Sequence, residues 1–262
     1  MMKILIRSTV LLILFSILTG CTQATQAPPP PPTETPPAGP DNASSDSADD
    51  IYRPEIDPAD FVDVIDNPYF LITPGARYIY EGETEDGLER IEVEILAETR
   101  EVMGVTTTIV RDTVYVEGEL IEDTFDWYAQ DKDGNVWYFG EETKEYEAGE
   151  VISVAGAWEA GVDGALPGII MYADPAAHLG ETYRQEYYQG EAEDMAEVFS
   201  LSESESVPYG SFDNLLAIRE WNPLEPGVVE HKYYASGVGL ILEMMVEGGS
   251  ERVELTEIQP QN

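Results

Sequence analysis

Fifty-two acidic residues, two histidines and a single cysteine restrict the chemistry open to this chain. Nucleophilic catalysis needs a nucleophile, a base and an orienting group brought together by the fold. His178 and His231 are the only imidazole bases and no Gly-x-Ser-x-Gly elbow occurs, so both histidines read as strand-edge residues. Zinc ligation by cysteine and histidine fails on the same inventory, although carboxylates could contribute. Asp131, Asp133 and Asn135 offer oxygens at alternate positions, as a calcium loop does, but the glycine falls at the fourth position (Gly134) where an EF-hand wants it at the sixth. The same residues suit a tight hairpin, which requires φ > 0. Glycoside hydrolysis needs two carboxylates flanking a sugar, and with so many acids sequence spacing selects no pair. Phe125, Trp127, Tyr128, Trp137, Tyr138 and Phe139 could stack on sugars, but the expectation is cross-strand packing.

One segment stands out as a candidate site. Trp158 to Met171 combines three glycines with apolar residues and no regular period, as segments that line a site or cap a core do. It is expected to act as a lid on a β-barrel. Trp158, Leu166, Ile169, Ile170 and Met171 are the candidate ligand-binding residues. As a site, the segment would bring Asp163 towards Glu186 and Glu193-Asp194, and oxygen ligands with excess negative charge suit calcium. Asp163, Glu186 and Asp194 are therefore the candidate metal ligands. No other cofactor is expected, and no catalytic residue is assigned.

The N-terminus states where the protein goes. Lys3 and Arg7 precede an apolar run from Val10 to Leu18, which ends in Leu18-Thr19-Gly20-Cys21. A charged start, a short apolar stretch and small residues before a cleavage point make a secretory signal. The run falls short of the roughly 20 apolar residues that span a bilayer. Leu-x-Gly-Cys resembles the lipobox of bacterial lipoproteins. That resemblance implies cleavage after residue 20, acylation of Cys21 (palmitate among the chains) and a membrane anchor. Thr22 stands where an aspartate signals inner-membrane retention in Gram-negative lipoproteins, so the resemblance favours the outer membrane if the host has two. From residue 21 to 50 the chain reads as a tether, with Pro28–Pro32 unbroken and an acidic serine stretch at Ser44–Asp50. Polyproline rises about 3.1 Å per residue, enough to lift the folded part tens of ångströms off a membrane.

A formal net charge of −39 argues against nucleic acid, whose phosphates are met by Lys and Arg. It also disfavours docking on anionic headgroups, which leaves the lipid as the anchor. If Cys21 is acylated no thiol remains to form a disulfide, so stability must come from core burial.

The elements that must position any site are strands. Residues 51–262 read as a single β domain. Asp57-Pro58 followed by Ala59–Val62 looks like the capped start of a short N-terminal helix. Beyond it Ile91, Val93 and Ile95 alternate with Arg90, Glu92 and Glu94, the period-2 pattern of a half-buried strand. Similar segments recur to Ile258, separated by Gly, Pro, Asp and Asn. Pro74-Gly75-Ala76-Arg77-Tyr78 matches Leu179-Gly180-Glu181-Thr182-Tyr183, and Asp126-Trp127-Tyr128-Ala129 matches Lys232-Tyr233-Tyr234-Ala235. These constant offsets predict two tandem six-stranded units, about 73–150 and 178–258, around an insert at about 151–177. The expected fold is all-β: an antiparallel meander of about 12 strands forming an open or closed barrel, with a β-sandwich as the alternative. Leu240, Leu242, Met244 and Val246 on one face, with Ile241 and Met245 on the other, predict a sheet covered on both sides.

The run Asp126–Glu141 together with Gly161–Met171 resembles a group of uncharacterised prokaryotic envelope lipoproteins, over most of residues 65–258. In architecture alone the chain is similar to the open β-barrel lipoprotein carriers of the LolA and LppX kind, and no functional residue carries over. The expected function is a membrane-anchored, non-catalytic binding module for a lipid or other hydrophobic small molecule. The alternatives are a calcium-dependent surface or assembly protein, partnered by another envelope protein, and a carboxylate-based hydrolase of envelope glycans.

Overall fold

Alternation of apolar and polar residues builds sixteen antiparallel strands and almost no helix in the computed structural model, which describes residues 52–84 and 86–260. The signal segment, Cys21 and the tether lie outside the described residues. The first long meander is β2 (Arg77–Thr84), β3 (Gly87–Val102), β4 (Val105–Val116), β5 (Glu119–Asp131) and β6 (Val136–Glu147). The second is β12 (Met195–Val207), β13 (Gly210–Trp221), β14 (Val229–Ala235), β15 (Gly239–Glu247) and β16 (Arg252–Gln259). Antiparallel pairing of β16 with β2 joins the last strand to the first meander, with Leu255 opposite Tyr80. Two-residue turns tie several neighbours together: Met103-Gly104, Glu117-Gly118 and Ala148-Gly149 all carry positive φ at both positions. That is the type I′ geometry, which matches the twist of the flanking strands.

Closure depends on one short segment. Strand β9 (Leu166–Met171) lies beside β6, and β10 (Thr182–Arg184) lies beside β12, so these mark the two ends of the sheet path. Strand β11 (Glu186–Tyr187) follows β10 after a single residue and pairs with β9. The chain thus crosses from one sheet edge to the other through Gln185, producing a nearly closed barrel and leaving the sandwich alternative aside. Gly168 of β9 packs so closely on the Gln185 backbone that an added Cβ would collide with it.

The strand count exceeds the expected dozen. The excess comes from β1 (Phe61–Val62), β7 (Glu150–Ser153), β8 (Trp158–Glu159), β10 and β11, which are two to four residues long. Such lengths carry no readable period. The N-terminal helix is corrected to one 3-10 turn, Pro58–Asp60, capped by the Asp57 side chain accepting from the Ala59 N–H. It stops because Phe61-Val62 pairs with Gln130-Asp131 at the end of β5, which satisfies the backbone as a strand instead. The insert is wall rather than lid: β8 and β9 both pair with β6. Ile241 and Leu242 are both fully buried, as a sheet covered on both faces requires.

One pair of positions matched by the offset of 105 shares a local backbone arrangement. Gly75 and Gly180 both have positive φ, and their N–H groups donate to Ile95 and Val198, in β3 and β12 respectively.

Candidate functional site: a carboxylate-lined cavity

The inward faces of the strands enclose a cavity of about 170 Å³. Period 2 supplies most of the wall: Tyr78 and Tyr80 of β2, Ile91, Val93 and Ile95 of β3, Val110 and Asp112 of β4, and Asp126 and Tyr128 of β5. Lys232 and Tyr234 of β14 face them. Strand β15 departs from the rule, because Leu240 and Glu243 both line the cavity. Tyr233 pairs with Leu242 but Tyr234 with Leu240, so a bulge at Ile241 switches the inward parity and brings Glu243 to the wall.

A second bulge assembles the polar floor. Asp126 pairs with Glu141 and Tyr128 with Tyr138, which leaves an extra residue in β6 at Phe139-Gly140. Gly140 takes φ 126°, and any Cβ there would strike the Trp158 carbonyl of the adjoining strand. The bulge puts Tyr138 and Glu141 on one face. The Tyr138 hydroxyl then lies 2.6 Å from Asp126 Oδ1 and 2.8 Å from Glu141 Oε2. A phenol has one hydrogen, so it cannot donate to two carboxylates. One carboxyl must be protonated and donate to the phenol oxygen. Burial raises the Asp126 pKa to about 7, the phenol hydrogen bond and Lys232 restraining it. Burial, then the charges of Glu186 and Asp126, hold Glu141 well above the usual carboxylate range. Burial thus favours the protonated form of both carboxyls, Glu141 and Asp126, on either side of the Tyr138 hydroxyl.

Lys232 is the buried cation of this site. Its Nζ is 2.7 Å from Glu220 Oε2 and 3.6 Å from Glu243 Oε2. Burial alone would lower its pKa, but Glu220 and Glu243 together raise it well above the ordinary lysine value. Gln185, the residue at the barrel seam, donates from Nε2 to Glu220 Oε1 at 2.8 Å. Asp194 accepts from Asn222 Nδ2 at 2.6 Å; burial and the Glu220 charge raise its pKa to about 7. Two further acids, Glu89 and Glu122, are each raised to about 8, chiefly by burial.

The mouth is covered by a segment that strand periodicity does not mark, Tyr69-Phe70-Leu71-Ile72. Asn67 anchors it. The Asp66 and Asn67 N–H groups both donate to Gln130 Oε1, and the Asn67 side chain donates to the Gly134 and Tyr172 carbonyls. Gly237 N–H donates to the Pro68 carbonyl at 2.7 Å, clipping the segment to the β14–β15 hairpin. Phe70 meets Tyr128 edge-on with ring centres 5.0 Å apart.

Of the five candidate ligand residues, Ile170 lines the cavity. Trp158 and Met171 are buried in the main core, Ile169 packs against it, and Leu166 is half-buried beside Tyr187 at the seam. Glu186 and Asp194 do come together: burial, then the Asp194 charge, raises Glu186 well above its usual value, while an Asp194 backbone hydrogen bond restrains it. The Trp158 indole N–H also lowers the Glu186 pKa, but its alignment falls short of a hydrogen bond. Asp163 sits apart in the exposed turn Val162–Gly164. Among the described residues no group of three or more His, Cys, Asp or Glu side chains is placed to hold a metal ion. Asp131 is used by its own turn, accepting from the Asn135 N–H and side chain and from the Trp137 indole.

No family model matches the chain, and no curated protein matches it. Among solved structures, a Bacteroides fragilis protein described as exported, with a YMCC-like fold, is similar at 16% identity over 74% of this chain and 100% of that one, TM-score 0.44. A Parabacteroides distasonis protein described as a lipoprotein is similar at 11% identity over 74% and 99%, TM-score 0.41. A β-barrel-like protein of a domain of unknown function, DUF1849, from Brucella abortus is similar at 12% identity over 71% and 98%, TM-score 0.41. At such identities and scores, no activity passes from them to this chain.

Sequence reasoning passed over Asp112, Asp126, Tyr138, Glu141, Lys232 and Glu243. One signal was available: Asp112 and Asp126 occupy inward positions of strands whose neighbouring inward positions, Val110, Val114 and Tyr128, are apolar.

Proposed function

We propose that this protein is a lipid-anchored, extracytoplasmic, non-catalytic binding protein whose barrel holds a small, mainly apolar molecule. The cavity carries this reading: aliphatic and tyrosine walls, a few convergent polar groups and a covering segment. Volume sets the ligand class. An engineered apolar cavity of about 150 Å³ holds benzene, whereas pockets for drug-sized ligands run to roughly 300–1,000 Å³. At about 170 Å³ the site takes one ring or a short chain, not a two-chain phospholipid. Nor does it admit two sugar rings flanking a scissile bond, which disfavours the glycan-hydrolase reading. The lipobox at Cys21 and the tether support anchoring and display away from the membrane, at the outer membrane if the host has two. The like positions of Gly75 and Gly180 support descent of the two meanders from one unit.

Native mass spectrometry of the full chain, released gently from a non-ionic detergent, tests the reading. A stoichiometric small-molecule adduct is expected, and Val93→Phe, which fills the cavity, should abolish it. Bare wild-type protein, with a melting temperature that no small apolar compound raises, would refute it. A stoichiometric calcium adduct in place of an organic one would favour the calcium-dependent reading and direct mutagenesis to Glu186 and Asp194.

A further inference from the structure

The cavity's charge and its walls point to more than an apolar guest. Asp112 and Asp126 line one side, Glu243 the other, and Lys232 is committed to Glu220 and Glu243. Lys232 acts on Asp126 through its charge but is ion-paired to Glu220 and Glu243, and among the described residues the lining includes no other lysine or arginine. Asp112 borders the cavity and is half-buried as a residue, yet its Oδ1 is sealed from solvent and has no hydrogen-bond partner. A buried acceptor without a partner is costly, so the structure retains there a group that a ligand donor would satisfy. Around these carboxyls stand aromatic rings, among them Tyr80, Tyr128, Tyr234 and Phe70. Aromatic faces attract cations most strongly where water is excluded, and rings with a carboxylate form the usual recognition set for alkylammonium groups.

We propose that the cavity is an ammonium site: it binds a small organic amine whose apolar part lies among the tyrosines and whose cationic nitrogen faces Asp112 and Asp126. This rests on the binding reading above and names its ligand class. The nitrogen supplies a positive charge that is not shared with Glu220 and Glu243, as that of Lys232 is, and a donor to Asp112 Oδ1. A carboxylate ligand would instead meet acidic side chains on both sides of the cavity.

Isothermal titration of the full chain in a non-ionic maltoside at pH 7.5, with protein-free micelles as the blank, tests this with three probes of one shape: benzylammonium, neutral ethylbenzene and benzoate. One-to-one binding of benzylammonium, tighter than either analogue, is expected. Asp112→Asn and Asp126→Asn, which keep shape but remove a carboxyl able to give up its proton opposite the bound nitrogen, should weaken benzylammonium by about thirtyfold or more, as loss of one partner of a buried pair does. Ethylbenzene should be weakened far less than benzylammonium by either variant, and an unchanged circular-dichroism spectrum shows that the variants are folded. If ethylbenzene or benzoate binds as tightly as benzylammonium, or if both variants keep full benzylammonium affinity, the ammonium assignment falls while the apolar-cavity reading stands. If none of the three binds, both fall.

Discussion

Lys232 is the residue on which the interior depends most. It is buried to 4% exposure between Glu220 and Glu243, so truncation leaves two carboxylates in the core without their cation. Removing one partner of a buried ion pair costs about 3–5 kcal/mol. Lys232→Met should lower unfolding free energy by about that amount at pH 8 and by less at pH 5, where the carboxylates can take up protons instead. Urea denaturation at the two pH values measures this; an equal loss at both would show that lost packing, not charge, is responsible. Tyr138 illustrates a different residue-level logic, since its one hydrogen cannot serve both Asp126 and Glu141 and so one of these buried carboxyls must carry a proton.

At the scale of elements, bulges and the seam decide what the strands present. Without the β6 bulge Tyr138 and Glu141 would face opposite sides, and without the β15 bulge Glu243 would leave the cavity wall. The seam is equally local: Gly168 permits β9 to approach Gln185, which links β10 to β11. Gly168→Ala should push β11 off β9. Hydrogen exchange ought to accelerate at 166–171 and 186–187, leaving β3–β4 protected as before; uniform acceleration would mean that closure and global stability are one event.

At the scale of the whole molecule, buried carboxyls set the pH response. Folded pKa values of about 8 for Glu89 and Glu122 and about 7 for Asp126 and Asp194 exceed the ordinary carboxylate values of the unfolded chain. Between about pH 4 and 8 the folded protein therefore holds protons that the unfolded chain releases. Their stabilising contribution is complete below the unfolded values and is lost as pH rises through the folded ones, at about 1.4 kcal/mol per pH unit for each proton held. Asp112, Glu141, Glu186, Glu230 and Glu243 are shifted in the same direction, chiefly by burial. His231, lowered by burial and by Arg219, works the other way as a single group. The urea midpoint should fall from pH 5 to 8 and flatten beyond; a rise across that interval would contradict the buried network.

The all-β class was legible in the sequence because it depends on a period of two along each strand. Ile91, Val93 and Ile95 declare a strand wherever it pairs, and Asp131, Asp133, Gly134 and Asn135 declare a turn. The insert misled because Leu166–Met171 resembles a lid until β6 offers it hydrogen bonds. The cavity was hidden for a similar reason. Strict alternation turns Leu240, Leu242 and Met244 to one face, and only pairing with β14 creates the bulge that substitutes Glu243. Among 52 acidic side chains, sequence ranks none above another, because a carboxylate's chemistry follows from burial and neighbours separated by a hundred residues or more, as Asp126 and Lys232 are. Alternation along each strand was enough to give the β class; tertiary pairing decided which acids went inside, because register across strands, not order along them, sets which side chains share a cavity.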